Sequence, residues 1–484
     1  MADAPEPSVR CSALVVICLL TSMPPLTMEI YIPSLPVLEE DLHTTTTLVL
    51  LTITVYTAAF SVMQLVLGPA ADVYGRRKLL LISLGLYVAS CIVNALSPTI
   101  ELMLAPRVIQ GSTSAAALII GQAMLRDLLS IKKRENVTKW MAVVRSSSPM
   151  LAPVLGSLLA ATLGWRSTFW ALAGFGGLIL LSSFHLLPES LPKERRQPKF
   201  SPYNLLHSVC FLMRRRDFLC WAVPEALGFS AFFVWIATSS YILQGFYGIS
   251  VATFGLLYCL CFLGATAGSF ATSIVRGRLK LSPHGTYTLG LTLQSLCALT
   301  LGLLSFTPLF HQPSPLSEVV LQSVITIYIF GRALCMVQAQ VQSLEPFPTR
   351  AASAAGLMGA LRSGGVATVS ALSGQMLRNG DDSPGGPSRA ICVLALLAHG
   401  AYALLRPRIP KPPACVSEAV RAAGDSASMI EPAESEMTEE AMSDLEAAHK
   451  AAKEEAVAAA KQRVKELEEA ARAKSESQEK EGVQ

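Results

Sequence analysis

Twelve apolar stretches, each close to the length that crosses a hydrocarbon layer and separated by short polar breaks, constrain this chain more than any other feature. Inside lipid no water is at hand for backbone N–H and C=O groups, so such stretches fold as helices that close their hydrogen bonds internally. Hydropathy places the spans at 11–35, 48–70, 79–98, 101–125, 139–163 and 167–188, and then at 218–245, 250–275, 285–307, 317–342, 352–377 and 388–406. Only 15% of the 484 residues are charged and 51% are hydrophobic, whereas soluble domains carry about 25% charged residues. The apolar run behind Arg10 resembles a secretory leader in outline. It contains Glu29 and no small-residue cleavage pattern follows, so it counts as the first span.

The spans fall into two sets of six. Between them lies PESLPKERRQPKFSPYNLLHSVCFLMRRRD, too polar and proline-rich to enter lipid but suited to the membrane surface. The expected organisation is a short N-terminus (1–10), a six-helix bundle (11–188), a linker (189–217), a second six-helix bundle (218–406) and a tail (407–484). The fold class is therefore an all-α integral membrane protein, two pseudo-symmetric six-helix bundles around a central cavity. A trace of internal repetition survives in Gly268–Lys280, a degraded echo of Gly68–Lys78. One chain supplies both halves, so a monomer is the expected working unit.

Basic residues cluster after the second and fourth spans (Arg76, Arg77, Lys78; Arg126, Lys132, Lys133, Arg134, Lys139), in the linker, and at Arg276, Arg278 and Lys280. By the positive-inside rule these loops are cytoplasmic, and so are both termini, which leaves the Asn136 sequon unmodified. A plasma membrane is preferred over an organelle. The net charge of +4 is spread along these flanks and points to no nucleic-acid partner. The eleven cysteines form no CxxC pair and sit mostly in apolar runs, where a thiol packs as a small hydrophobe, so neither a disulfide framework nor a metal site is expected. The tail turns to helix-favouring Ala, Glu and Lys without a clean heptad. It reads as a solvated or disordered segment, with a protein partner as the alternative.

Three segments are too specific for hydropathy to explain. Gly68-Pro-Ala-Ala-Asp72-Val-Tyr-Gly75-Arg76-Arg77-Lys78 lies where the second span passes into the third, Arg107-Val-Ile-Gln110-Gly111 in the fourth span, and Ser148-Pro-Met-Leu-Ala-Pro153-Val-Leu-Gly156 in the fifth. The first resembles the loop signature of the major facilitator superfamily, and the other two resemble signatures of its drug:proton antiporters. Span one, Pro24-Pro-Leu-Thr-Met-Glu29-Ile-Tyr-Ile-Pro33-Ser-Leu-Pro36, is similar to the bicyclomycin and chloramphenicol resistance branch, which carries Asp where Glu29 stands here. Arg126-Asp127 and Glu345-Pro346-Phe-Pro348-Thr-Arg350 extend the likeness, which covers most of residues 11–406.

The resemblance implies alternating access coupled to protons, with no other cofactor. Glu29 and Arg107 are then the coupling pair, Gly68, Asp72, Gly75, Arg76, Arg77 and Arg126 a conformational latch with Asp72 facing Arg126, and Pro153 and Gly156 a bent, close-packed helix. Plainer alternatives stand beside each. The arginines can serve topology alone, Arg107 can snorkel, Glu29 can sit at the outer water interface, and Pro153 and Gly156 can be ordinary packing. An aromatic seventh span (Glu225, Phe229, Phe232, Phe233, Trp235, Tyr241), with Gln110, Arg332 and Arg362, is the candidate lining of a cargo cavity, against the alternative that these rings face lipid or core. Glu225 can instead pair with the arginine run at Arg214.

The expected function is proton-coupled export of drug-like or other small organic molecules. A proton-coupled carrier of a nutrient, metabolite or polyamine is the nearest alternative. No GxxxxGK[ST] phosphate loop supports an ATP-driven pump, and neither HExxH nor GxSxG supports an enzyme. A sensor or scaffold acting through the tail is the rival of another class.

Overall fold

The computed structural model describes residues 11–129, 131–347, 350–377 and 383–406. The expectations for the tail (407–484) and the N-terminus lie outside them. Fourteen α-helices occur in these segments: α1 (Cys11–Glu29), α2 (Leu35–Asp41), α3 (Thr46–Tyr74), α4 (Arg76–Leu96), α5 (Ile100–Leu128), α6 (Ile131–Leu163), α7 (Arg166–Leu186), α8 (Pro202–Met213), α9 (Arg216–Ser240), α10 (Val251–Gly277), α11 (Pro283–Leu304), α12 (Pro315–Gln342), α13 (Ala351–Leu377) and α14 (Gly385–Leu405). Helices α1 and α2 join through a 3-10 turn into one long span, and α8 is the linker helix.

Among the described residues, ten of the resulting twelve long elements are long and apolar enough to cross a membrane, and α6 contributes a further apolar stretch over Ser147–Leu163. Helix α6 packs between α1 and α10, and α13 between α3 and α9. An element enclosed by neighbours can carry the Gly, Ala, Ser and Arg362 of α13 at lower cost than a lipid-facing one.

The packing repeats with a shift of six spans. In the first bundle α1 packs on α5, α6 and α7, α3 on α5, and α4 on α5 and α7. In the second, α9 packs on α12, α13 and α14, α10 on α12, and α11 on α12 and α14. The halves meet along α3·α13 and α6·α10, and this pairing also maps onto itself under the shift. Within the second bundle glycine brings helices into close contact. A Cβ at Gly264 or Gly268 of α10 would run into carbonyls of Thr326 or Phe330 on α12, so backbones touch where only hydrogen fits.

Several boundaries differ from the expectation. Gly68, Pro69 and Asp72 lie inside α3, and the turn to α4 shrinks to Gly75, whose φ of +89° favours glycine. Glu29, which the sequence left free to sit at the outer water interface, is buried at the break between α1 and the following turn.

Candidate functional site

At the basic-loop end, the α3–α4 turn is stitched to the linker. Glu189 accepts from the Arg76 and Arg77 backbone N–H groups at the start of α4 (3.1 and 3.4 Å), a carboxylate on a helix N-terminus, and pairs with Arg196 at 3.2 Å. Arg77 donates to the Leu187 and Phe184 carbonyls that end α7. The expected pairing of Asp72 with Arg126 is replaced: Asp72 meets Arg76 at 3.3 Å, and Arg76 reaches Asp127 at the end of α5 at 2.5 Å. Arg76 and Asp72 flank a one-residue turn, which brings them together at i,i+4, while the Arg126 side chain is exposed. The ion cluster joining α3, α4 and α5 at this end is thus Arg76 between Asp72 and Asp127. Asp72→Asn removes one of its carboxylates, and transport is expected to fall with cargo affinity unchanged; normal transport rates would show that the cluster is only structural.

At the opposite end the halves are closed on one another. Tyr258 of α10 donates its hydroxyl to Glu29 Oε2 at 3.3 Å, and Gln244, in the π-helical turn Tyr241–Phe246, donates to the Pro33 carbonyl at 2.8 Å. Pro153 and Gly156 of α6 belong to the same region. A Cβ at Gly156 would run into the Ile30 carbonyl, and one at Gly255 of α10 would press on the Pro153 carbonyl and Ser157. Gly156→Ala should therefore cost about 1–3 kcal/mol by overpacking, read as a lower unfolding temperature in detergent; an unchanged temperature would mean that this seam is loose.

In the same half, Arg107 of α5 is wholly buried and did not snorkel. Its guanidinium lies over the rings of Tyr31 (4.2 Å), Tyr56 (5.0 Å) and Phe169 (5.8 Å), and Nη1 donates to Gln110 Oε1. Gln110 in turn donates to Cys91 Sγ on α4 at 3.0 Å. Gly111 lets α5 close on the Tyr56 backbone, which holds the box together. Glu29 and Arg107, expected to act as a pair, form no ion pair among the described residues.

The second half places its charges nearer the basic-loop end. Glu225 of α9 and Arg332 of α12 form a buried two-point ion pair at 2.6 and 3.3 Å, so Glu225 does not turn to the Arg214 run. Phe229 carries Arg332 (4.9 Å) and Arg362 of α13 (4.8 Å) against its ring. From there rings continue in contact: Phe229 to Phe232 at 6.1 Å and to Phe233 at 6.2 Å, Phe232 to Phe262 at 5.8 Å, and Phe262 to Tyr258 at 5.1 Å. An aromatic stripe thus runs from the Glu225–Arg332 pair to the Tyr258–Glu29 contact. Trp235 and Tyr241, also expected in a cavity lining, are buried in α9 and the turn after it. Midway along the α3·α13 seam, Ser61 donates to the Ala360 carbonyl (2.7 Å) and Gln64 to Ser363 (3.0 Å).

The residues that sequence reasoning missed are Tyr258, Tyr31, Tyr56, Asp127 and Glu189. Only Asp127 and Glu189 carried a signal, as acids within the basic end. His, Cys, Asp and Glu side chains form no group able to hold a metal ion among the described residues.

The sequence model of the Major Facilitator Superfamily matches residues 17–370. The chain is 29% identical to the uncharacterized MFS-type transporter YdgK of Bacillus subtilis over 75% of its own length and 88% of that protein. It is 24% identical to a bicyclomycin resistance protein homolog of Haemophilus influenzae, over 71% of this chain and 84% of the relative. Among solved structures, the human organic anion transporter MFSD10 superposes over 84% of this chain and all of its own, with a TM-score of 0.58 at 18% identity, a likeness of fold alone.

Proposed function

We propose, for a chain that belongs to the Major Facilitator Superfamily and is a membrane transporter acting on small molecules, that it exports drug-like or related organic compounds in exchange for protons. The observation that carries the reading is the Glu29–Tyr258 hydrogen bond. A titratable side chain of one half sits on the seam with the other half, at the end where the two are closed. Any change in the charge of Glu29 acts directly on a contact that holds this end shut. The name of the Haemophilus relative, a bicyclomycin resistance protein homolog, supports a drug-like cargo.

With the basic loops in the cytoplasm, the closed end faces outward and the Arg76–Asp72–Asp127 cluster inward. Protonation at Glu29 and rearrangement of that cluster then bias opposite ends of one rocking motion. The energy is sufficient: a tenfold proton gradient supplies about 1.4 kcal/mol per proton, and about 2.3 kcal/mol per 100 mV is added when net charge crosses. The test is accumulation of a labelled cargo in proteoliposomes under an imposed pH gradient. Gradient-driven accumulation is expected; equal internal and external concentrations with and without the gradient would contradict coupling.

The work is assigned to the helical core. Deleting the residues after Pro410 is expected to leave flux in proteoliposomes within about twofold of the full chain, since no residue in the coupling argument lies there. Loss of flux on deletion would favour the tail as an acting part.

A further inference from the structure

The same two helices of each half, the first and fourth, carry one buried carboxylate and one buried arginine: Glu29 and Arg107 in the first half, Glu225 and Arg332 in the second. In the second half the two charges join. In the first they do not. Glu29 is engaged by Tyr258, and Arg107 has Gln110 on one nitrogen and aromatic rings on its faces. A guanidinium taken out of water without an anion is costly, by several kcal/mol even after relaxation, and no carboxylate pairs with Arg107 among the described residues.

What is left open on Arg107 has a definite shape. Nε and Nη2 have no hydrogen-bond partner although the residue is fully buried. These two N–H groups share one edge of the guanidinium plane and point in parallel, the arrangement that grips both oxygens of a carboxylate. A second buried group on the neighbouring helix is equally unfilled. Asn94 of α4 is fully buried, and both its Oδ1 and Nδ2 lack partners. The Gln110–Cys91 bond fixes the level of the antiparallel helices α4 and α5, and three residues toward the closed end on each lie Arg107 and Asn94.

We propose that Arg107, with Asn94, is the recognition point for a carboxylate on the cargo, so that this carrier moves lipophilic organic acids. The proposal deepens the carrier reading above and rests on it. Tyr31, Tyr56 and Phe169 hold the cation while the site is empty and wall the cargo when it is filled. Because the site is buried on the closed side, the cargo reaches it only when the contacts around Glu29 and Gln244 open.

The test is binding, read without any gradient, so that it stands apart from proton coupling. The full chain is purified in detergent with sulfate replacing chloride, and its unfolding temperature is followed with 4-phenylbutyrate and with the matched amine, 4-phenylbutylamine. The acid is expected to raise the temperature and the amine to leave it unchanged. Arg107→Lys, which keeps a charge without the forked edge, and Asn94→Leu should each weaken acid binding about tenfold, and Arg107→Gln should abolish it. Should Arg107→Gln not fold, the other two variants decide. Equal shifts by acid and amine, or an acid shift that survives in all the variants, would overturn the proposal. So would an Arg107-dependent shift by chloride alone to which the acid adds nothing, since the site would then belong to an inorganic anion. Acid binding that depends on Arg107 in a protein that moves no protons would sink the coupling and leave this site standing.

Discussion

Glu225→Ala is expected to be the most damaging single change in the second half, lowering stability by about 3–5 kcal/mol. Arg332 is buried, its charge is met by both oxygens of Glu225, and its Nη1 lies close to the helix backbone at Gly228. Removing the acid leaves a buried cation without its counter-ion, which costs more than the pair itself contributes. The measurement is the yield of folded protein and its unfolding temperature in detergent. The double change Glu225→Gln with Arg332→Met should recover most of the loss, because it removes both charges together. If the single and double variants are equally unstable, the two residues act separately and the ion pair does not hold α9 to α12.

The second large effect falls on Glu29. Glu29→Gln keeps the side-chain shape and can still accept the Tyr258 hydroxyl proton, so folding and the closed end should persist. It cannot exchange a proton, so accumulation of cargo against its gradient should disappear while passive equilibration continues. Tyr258→Phe makes the opposite cut. The carboxylate remains and coupling survives, but one hydrogen bond between the halves is lost, worth about 0.5–1.5 kcal/mol. That shifts the balance between open ends by between roughly twofold and tenfold, which should show as a changed rate at an unchanged accumulation ratio. Identical behaviour of the two variants would mean that Glu29 acts only as a structural contact.

The all-helical membrane fold in two six-helix bundles was legible because lipid demands long apolar helices, which are written locally. The acids and arginines inside spans stood out by their cost alone, but their partners did not. Tyr258 lies 229 residues from Glu29 and Arg332 lies 107 from Glu225, and no local pattern encodes either meeting. The misassigned partner of Asp72 has a local cause. Reading the Gly68–Lys78 segment as a loop hid that α3 runs to Tyr74 and that one glycine turns the chain, which is what delivers Arg76. The aromatic stripe was half visible, as the rings of α9; its continuation through Phe262 and Tyr258 belongs to another helix.

Proton movement coupled to cargo is the central claim, and it is read most directly with the purified chain in liposomes holding a pH-sensitive dye, with lipophilic acids, cations and neutral compounds added in turn. A cargo-dependent pH change in the wild-type protein, in the direction of exchange and absent from Glu29→Gln, is the predicted result. A pH change that is the same in both proteins, or none with a cargo that demonstrably crosses, would contradict it.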